Sequence, residues 1–406
     1  MYNFFGDFLD RLLPQLPSFS KTVALVYNVK KEAPQVSPTA DLSTTPSTQD
    51  SLSTIHGDNG HGAALTNHGR HNDQYVEWDT MDTVNAVRRA IEERYRVSMI
   101  EANTQAYHKL LEIRPFFAFN MAEGLFGASR ESQMPAMLEM LQIPYLGSDP
   151  LTLGICLDKS RAKEILAHYG IPTAPFTVIR SVNQLRDARV RFPAIVKPLH
   201  EGSSKGIYNS CVVRNSAELE REVMVTLATY DQPVLVEEFL PGREFTVAIL
   251  GNGSSLQVLP IVEIMFDALP AGMNPIYSYE AKWVWDTIEN QLEIFGCPAK
   301  IDQRLQTEIE TICRDAYRIL NCRDWSRIDV RLDAHGRPHI LEINPLPGIL
   351  PRPEDHSCFP KAARAAGLTY NQLINTVLDI AMERCGISPA KYMHRTLREP
   401  QAAVAE

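Results

Sequence analysis

Short apolar runs and alternating segments divide this chain into elements. Thr22 to Tyr27 (TVALVY) is a continuous apolar run, which predicts a strand buried on both faces of a parallel sheet. Val84, Val87, Ile91 and Tyr95 recur at helical spacing, with Thr80 or Asp82 placed to cap the helix. Strands are expected at 96–100 and 116–119 and a helix at 133–141, and Pro144 to Gly147 ends this unit. The alternation predicts an open α/β layer. A second unit starts near Asp149. It has a helix from Leu157 to His168, strands at 176–179 and 194–197, and a loop from Glu201 to Gly206. A returning strand from Ile207 to Val213, a helix from Ala217 to Tyr230 and a strand from Val234 to Phe239 follow. Glu244 to Leu250 opens a third unit, and a helix from Tyr370 to Glu383 closes it.

Two stretches break the pattern. Glu32 to Asp73 is rich in Ser, Thr, Asn, Pro, Gly and His, and reads as an insertion poor in regular structure. Its His56, His61, His68 and His71 match no zinc spacing, so a solvated loop is expected. Met1 to Leu16 sets Phe4, Phe5, Phe8, Leu9, Leu12 and Leu13 among acidic residues. It reads as a short amphipathic helix packed on the body or on a second subunit, and not as a signal peptide.

Composition narrows the class. The 406 residues suffice for two or three packed domains. A net charge of −9 argues against general affinity for nucleic acid or anionic membrane. No apolar run approaches the roughly 18 residues of a membrane span. The seven Cys are scattered without a CxxC pair, which fits free thiols in a reducing cytoplasm.

The chemistry concentrates near the C-terminus. Trp325 to Asp333 alternates with period two, Ala334 to Arg337 reads as a turn, and Pro338 to Pro345 reads as the return strand. A hairpin centred between His335 and Gly336 sets Asp329 opposite Glu342 and Arg327 opposite Asn344 on one face. Ile328, Val330, Leu332, Leu341 and Ile343 then face a core. Facing carboxylates repel, so a cation is expected between them. Two carboxylates and an Asn carbonyl form an oxygen-only set suited to Mg²⁺. The competing reading is a surface hairpin with solvated charges.

Upstream, Lys197 to Ile207 (KPLHEGSSKGI) offers Gly backbone amides, hydroxyls and two Lys, as a polyphosphate requires. The spacing is not that of a Walker A loop, and a plain polar hairpin is the alternative. Val234 to Leu240 (VLVEEFL) ends an apolar strand in carboxylates before a Pro-Gly break, which suits a nucleotide hinge, with solvated surface carboxylates the alternative.

Together these stretches resemble the ATP-grasp superfamily, most closely the D-alanine–D-alanine ligase family. The matching residues are Leu157 to Arg161, Ile195 to Pro198, Glu201 to Ser204, Glu244 to Ala248, Tyr279 to Lys282, Arg327 to Asp329 and Leu341 to Gly348. The resemblance implies an ATP-grasp fold, mixed α/β and α+β, behind an N-terminal open α/β (Rossmann-like) domain. The implied domains are an amphipathic extension at 1–20, a substrate domain at 21–148 with its insertion at 32–73, a central ATP-grasp subdomain at 149–240, a catalytic subdomain at 241–385, and a polar tail at 386–406.

By the same resemblance, Lys159 and Lys197 contact the ATP phosphates, and Glu201, Ser203 and Ser204 belong to the loop that closes over them. Glu237, Glu238, Phe239 and Leu240 hold adenine, and Glu244 holds ribose. Lys282, on a mobile loop, reaches the γ-phosphate. Asp329, Glu342 and Asn344 hold two Mg²⁺, with Mn²⁺ an acceptable substitute. Arg327 and the Gly348 amide steady the tetrahedral intermediate. The implied reaction converts a carboxylate to an acyl phosphate that an amine attacks, with release of ADP and phosphate. Its partners are a small amino-acid or carboxylate substrate and an amine, and a homodimer is expected by analogy.

Departures from the family pattern concern the amino-acid sites. Val26 to Lys31 stands where the family has a Gly-rich turn with a Glu that anchors the first ammonium. Phe119 to Gly124 replaces a His-Gly motif. Trp283 replaces a Tyr and cannot accept a hydrogen bond. The Ser that receives the second substrate's carboxylate falls near Pro353, which makes Arg352 a candidate to bind a substrate carboxylate in its place. These departures favour a ligase making an amide in a small metabolite or dipeptide. A D-alanine–D-alanine ligase of cell-wall synthesis and a catalytically silent nucleotide-binding regulator are the alternatives.

Overall fold

The computed structural model describes residues 19–30, 75, 77–286, 292–355 and 357–393. The expected N-terminal helix and the His-bearing insertion lie outside the described residues.

The chain begins with β1 (Ser20–Tyr27), α1 (Met81–Glu92), β2 (Arg96–Glu101), α2 (Ala106–Ile113), β3 (Pro115–Asn120) and α3 (Gln133–Met140). The strands form a parallel sheet in the order β2-β1-β3. Val23 to Val26 and Phe116 to Phe119 are buried, as their apolar runs require. Thr80 caps α1 by accepting from the Thr83 amide.

The helix expected from Leu157 to His168 starts at Lys159, and a further helix precedes it. α4 (Pro150–Leu157) is capped by Asp149, and α5 (Lys159–His168) by Asp158, which accepts from the Ser160 and Arg161 amides. The break places Lys159 on the first turn of α5. Then come β4 (Phe176–Ile179), β5 (Ala194–Pro198), β6 (Val212–Val213), α6 (Ser216–Tyr230) and β7 (Val234–Glu238), in an antiparallel sheet ordered β4-β7-β5-β6. The returning strand expected from Ile207 is only Val212–Val213. The preceding residues form a loop and a short 3₁₀ turn, Asn209–Cys211, whose backbone bonds the Tyr279 and Glu280 region instead of a strand.

The third unit comprises β8 (Glu244–Leu250), β9 (Gln257–Val258), β10 (Val262–Ile264), β11 (Phe295–Gly296), α7 (Gln303–Ile319), β12 (Trp325–Leu332), β13 (Pro338–Asn344), α8 (Cys358–Ala365) and α9 (Tyr370–Arg384). Its antiparallel sheet runs β11-β10-β8-β12-β13, with β9 beside β8. α7 packs Ile309, Cys313, Ala316 and Tyr317 under this sheet. The last helix returns to the first unit. Asn375 Nδ2 donates to Ala90 O at 2.8 Å, Arg94 pairs with Asp379 at 2.7 Å, and Leu373, Ile374, Val377 and Leu378 share one core with Val84, Val87 and Ile91. The N-terminal sheet is thereby fixed against the third unit, and a cavity of about 570 Å³ is enclosed among all three units.

Candidate active site

The hairpin forms the floor of the cavity. Asp329 pairs with Glu342 and Arg327 with Asn344, as the alternation predicts. Beyond Asp329 the register slips: Val330 pairs with Ile340 and Arg331 with His339. This bulge places Leu341 beside Glu342 on the cavity side, so Leu341 lines the cavity and Ile340 takes the core position expected for it.

The two carboxylates are held by cations. Arg327 Nη2 lies 2.9 Å from Asp329 Oδ2 and 3.6 Å from Glu342 Oε1, and Lys159 Nζ lies 3.4 Å from Glu342 Oε2. Burial pushes Asp329 up, and the Glu342 charge opposite adds to it, against the pull of Arg327. Burial acts on Glu342 in the same sense, but Lys159, Arg327 and Lys197 hold it down at about 2. Asn344 Nδ2 sits 3.5 Å from Asp329 Oδ2 and 3.4 Å from Glu342 Oε1. The isosteric flipped amide presents Oδ1 at the same point.

Among the described residues no three His, Cys, Asp or Glu side chains converge as a closed metal cage. Two carboxylates and an amide oxygen instead fit a divalent ion whose other ligands are phosphate oxygens and water, the usual pattern for Mg²⁺ with nucleotides.

Above the floor, the 201–206 loop turns tightly, with positive φ at Ser203, Ser204 and Gly206. A side chain at Gly206 would strike Pro198. Lys159 Nζ donates to Glu201 O at 2.5 Å, tying the loop to the hairpin. The Glu201 carboxylate is engaged by Lys205 Nζ (3.0 Å), Gln232 Nε2 (2.7 Å) and Arg130 Nη2 (3.4 Å). Lys205 is therefore already paired. Lys30, Lys197, Lys282, Arg327 and Arg331 are the cations that line the cavity.

At the hinge, Glu237 is an interior ion-pair residue. Its carboxylate contacts Lys197 Nζ and lies 2.9 Å from Lys163 Nζ. Burial would raise it, but the two Lys charges hold it at about 2. The carboxylate expected to meet adenine is thus engaged elsewhere. The Glu238 and Phe239 amides are also committed, to Pro175 O and Pro193 O at 2.9 Å each. Glu238, Phe239, Leu240 and Glu244 do line the cavity. Glu244 Oε2 accepts from Arg331 Nη1 at 2.6 Å, a partner that sequence reasoning missed.

A lid covers the other side. Ser204 Oγ donates to Tyr277 O at 2.8 Å, the Tyr279 amide to Ile207 O at 2.7 Å, and Trp283 Nε1 to Ser203 O at 3.3 Å. Trp283 thus acts as a donor, and Lys30 Nζ lies 4.6 Å over its ring. Burial, with the Arg327 charge next, lowers Lys282 to about 8.

The N-terminal wall carries carboxylates absent from the expectations: Glu77, Asp79, Glu123 and Glu131. Arg130 binds both oxygens of Glu77 at 2.9 Å and His200 O at 2.8 Å. Glu77 Oε1 accepts from the Gly202 amide at 2.5 Å, joining this wall to the phosphate loop. Burial lifts Asp79 to about 7 against the pull of Lys30, and lifts Glu131 to about 7. Glu123 rises well above the usual range through burial, then the Glu77, Glu131 and Asp79 charges.

Arg352 is not in the cavity. Its guanidinium pairs with Asp82 at 2.7 Å on the surface, where both side chains are more than half exposed. Glu354 and Asp355 of the 3₁₀ turn Pro353–Asp355 line the cavity, and Ser357 holds the N-cap position of α8. Ser357 lines the cavity beside Gly348, and its Oγ donates to Gly348 O at 3.0 Å. Ser357, and not position 353, thus stands beside Gly348 on the cavity wall.

This assembly has relatives. A family model described as "D-ala D-ala ligase C-terminus" matches residues 165–379. The D-alanine–D-alanine ligase of Bordetella petrii is 35% identical over 67% of this chain and 78% of its own length. An uncharacterized protein, y4sG, of Sinorhizobium fredii is 40% identical over 66% of this chain and 74% of its own. The crystal structure of D-alanine–D-alanine ligase from Bacillus anthracis complexed with ATP superposes with a TM-score of 0.60 at 20% identity, covering 90% of this chain and 98% of that one. With the facing carboxylates, the phosphate loop and the lid on one cavity, the chain belongs to the D-alanine–D-alanine ligase family, ATP-dependent, ADP-forming carbon–nitrogen ligases of ATP-grasp fold that act on small amino-acid substrates with a divalent metal.

Proposed function

We propose that this chain joins two small amino-acid-like substrates by an amide bond through an acyl phosphate. One observation carries the reading: Lys197, Lys282 and Arg327 converge on a single cavity with Asp329, Glu342 and Asn344. Lys159 and Lys197 bind the phosphates, with Glu201, Ser203 and Ser204 shaping the loop over them. Glu237 positions both Lys197 and Lys163, the backbone from Glu238 to Leu240 frames adenine, and Glu244 meets the ribose. Two Mg²⁺ at Asp329, Glu342 and Asn344 would neutralise phosphate charge when bound. Lys282 holds the γ-phosphate oxygens. Arg327 and the Gly348 amide face the oxyanion that forms when the amine attacks. The lid at Trp283 excludes water from the acyl phosphate.

The carboxylate substrate lies against Lys30, Trp283 and the Glu123 wall, and the amine substrate's own carboxylate meets Ser357 at the start of α8. By family analogy we propose a homodimer, visible in sedimentation as twice the chain mass. The seven free thiols support a reducing, cytoplasmic setting. A second reading, D-alanine as both substrates, is favoured by the names of the relatives. ADP release across pairs of D- and L-amino acids separates the two. Turnover with D-alanine alone contradicts the altered-substrate reading. Tight Mg-ATP binding without turnover on any pair points to a silent regulator.

A further inference from the structure

Arg327, Asp329 and Arg331 alternate along β12, so all three project to the cavity side. The mechanism uses the first two. Arg331 lies at the nucleoside end and is 3% exposed. Its Nη1 donates to Glu244 Oε2 at 2.6 Å and its Nη2 to Pro275 O at 2.7 Å. Its guanidinium carbon lies 4.7 Å from the Phe239 ring centre and 5.2 Å from that of Phe266. The register sets Arg331 opposite Glu244 on the neighbouring strand. Two rings, a carbonyl and a carboxylate thus fix the planar fork in one orientation, which a lysine in this place could not reproduce.

We propose that Arg331 is a positioning residue for the nucleotide sugar, holding the Glu244 carboxylate aimed at the ribose hydroxyls. The proposal rests on the reading that Glu244 is the ribose ligand. Burial raises the Glu244 carboxyl, and Arg331 is the largest charge opposing that rise. Without Arg331 the Glu244 carboxylate would lose the donor that fixes its rotamer. It would then no longer accept two sugar hydroxyls. Recognition of the ribose would thus depend on a residue that need not touch it.

The test is binding of Mg-ADP and Mg-2′-deoxy-ADP to the full chain by calorimetry, with no amino acid added. Wild type is expected to favour the ribonucleotide about tenfold, the scale of one hydrogen bond to a charged group. Glu244→Gln and Arg331→Met should each lower that ratio to within about twofold of unity. The double variant should show no further loss, because both changes act on the same contact. Arg331→Lys should recover part of the ratio, and thermal unfolding of each variant confirms a cooperative fold. A folded Arg331→Met that keeps the wild-type ratio while Glu244→Gln loses it overturns the proposal and leaves Glu244 as the ribose ligand. A Glu244→Gln variant that keeps the ratio overturns the ribose reading itself, and the proposal with it.

Discussion

Asp329 and Glu342 face each other across β12 and β13, with Arg327 Nη2 within 3.6 Å of an oxygen on each. Facing carboxylates are unfavourable unless a cation joins them. Arg327, which bonds both oxygens of Asp329, and Lys159 supply part of that charge in the polypeptide itself, and an ion brought with the nucleotide would supply the rest. Glu342→Gln should therefore unfold cooperatively yet lose turnover by about a thousandfold or more, since several kcal/mol of charge stabilisation disappear from the transition state. ADP release alongside denaturant unfolding checks this.

Lys282 ties activity to pH. It is charged below about 8 in the nucleotide-free site and neutral above. Its contribution to phosphate binding should be complete below that value and be lost as pH rises through it. The ratio kcat/KM for ATP should fall on the alkaline side of about 8, and Lys282→Arg should shift that limb beyond the measurable range. A profile that keeps its alkaline limb in Lys282→Arg removes the γ-phosphate role.

Glu237 carries a stability prediction. Its carboxylate is buried between Lys163 and Lys197. Glu237→Gln leaves two interior ammonium groups short of their counter-ion, a change that costs about 3–5 kcal/mol. The folded-state value of about 2 lies below the ordinary 4.5. The stabilisation is therefore present above 4.5 and is lost as pH falls from there toward 2. Urea titrations across that range should show this acid-side loss in wild type and a much weaker one in the variant.

The end of the cavity distinguishes Arg352 from Ser357. Arg352 pairs with Asp82 in solvent. Arg352→Ala should change stability by less than about 0.5 kcal/mol and leave the amine-substrate KM near wild type. Ser357→Ala should raise that KM several-fold. Initial rates with the amine substrate varied decide the matter, and an Arg352 effect larger than the Ser357 effect would reverse the assignment.

Much of this was legible in the residues because local rules and the fold agree. Period-two alternation set Asp329 against Glu342, and buried runs at 22–27 and 116–119 became parallel strands. Other features depend on contacts between distant segments. Glu77, Asp79 and Arg130 matter because the first unit folds against the phosphate loop, and no local pattern announces that. The bulge that turns Leu341 to the cavity also escaped a uniform alternation. Arg352 misled because position after Pro-Gly does not say which way a side chain points, and here the guanidinium turns to Asp82 in solvent. α7 was missed although Ile309, Cys313, Ala316 and Tyr317 carry helical spacing.

The central claim is that Asp329 and Glu342 seat the metal of an ATP-grasp active site. Its most direct test counts Mn²⁺ bound by the full chain saturated with a non-hydrolysable ATP analogue, in wild type and in Glu342→Gln. Two ions per wild-type chain are expected, with at least about tenfold weaker binding of one or both in the variant, the scale of about 1.4 kcal/mol for one lost charged ligand. Equal stoichiometry and affinity in the two proteins would contradict it.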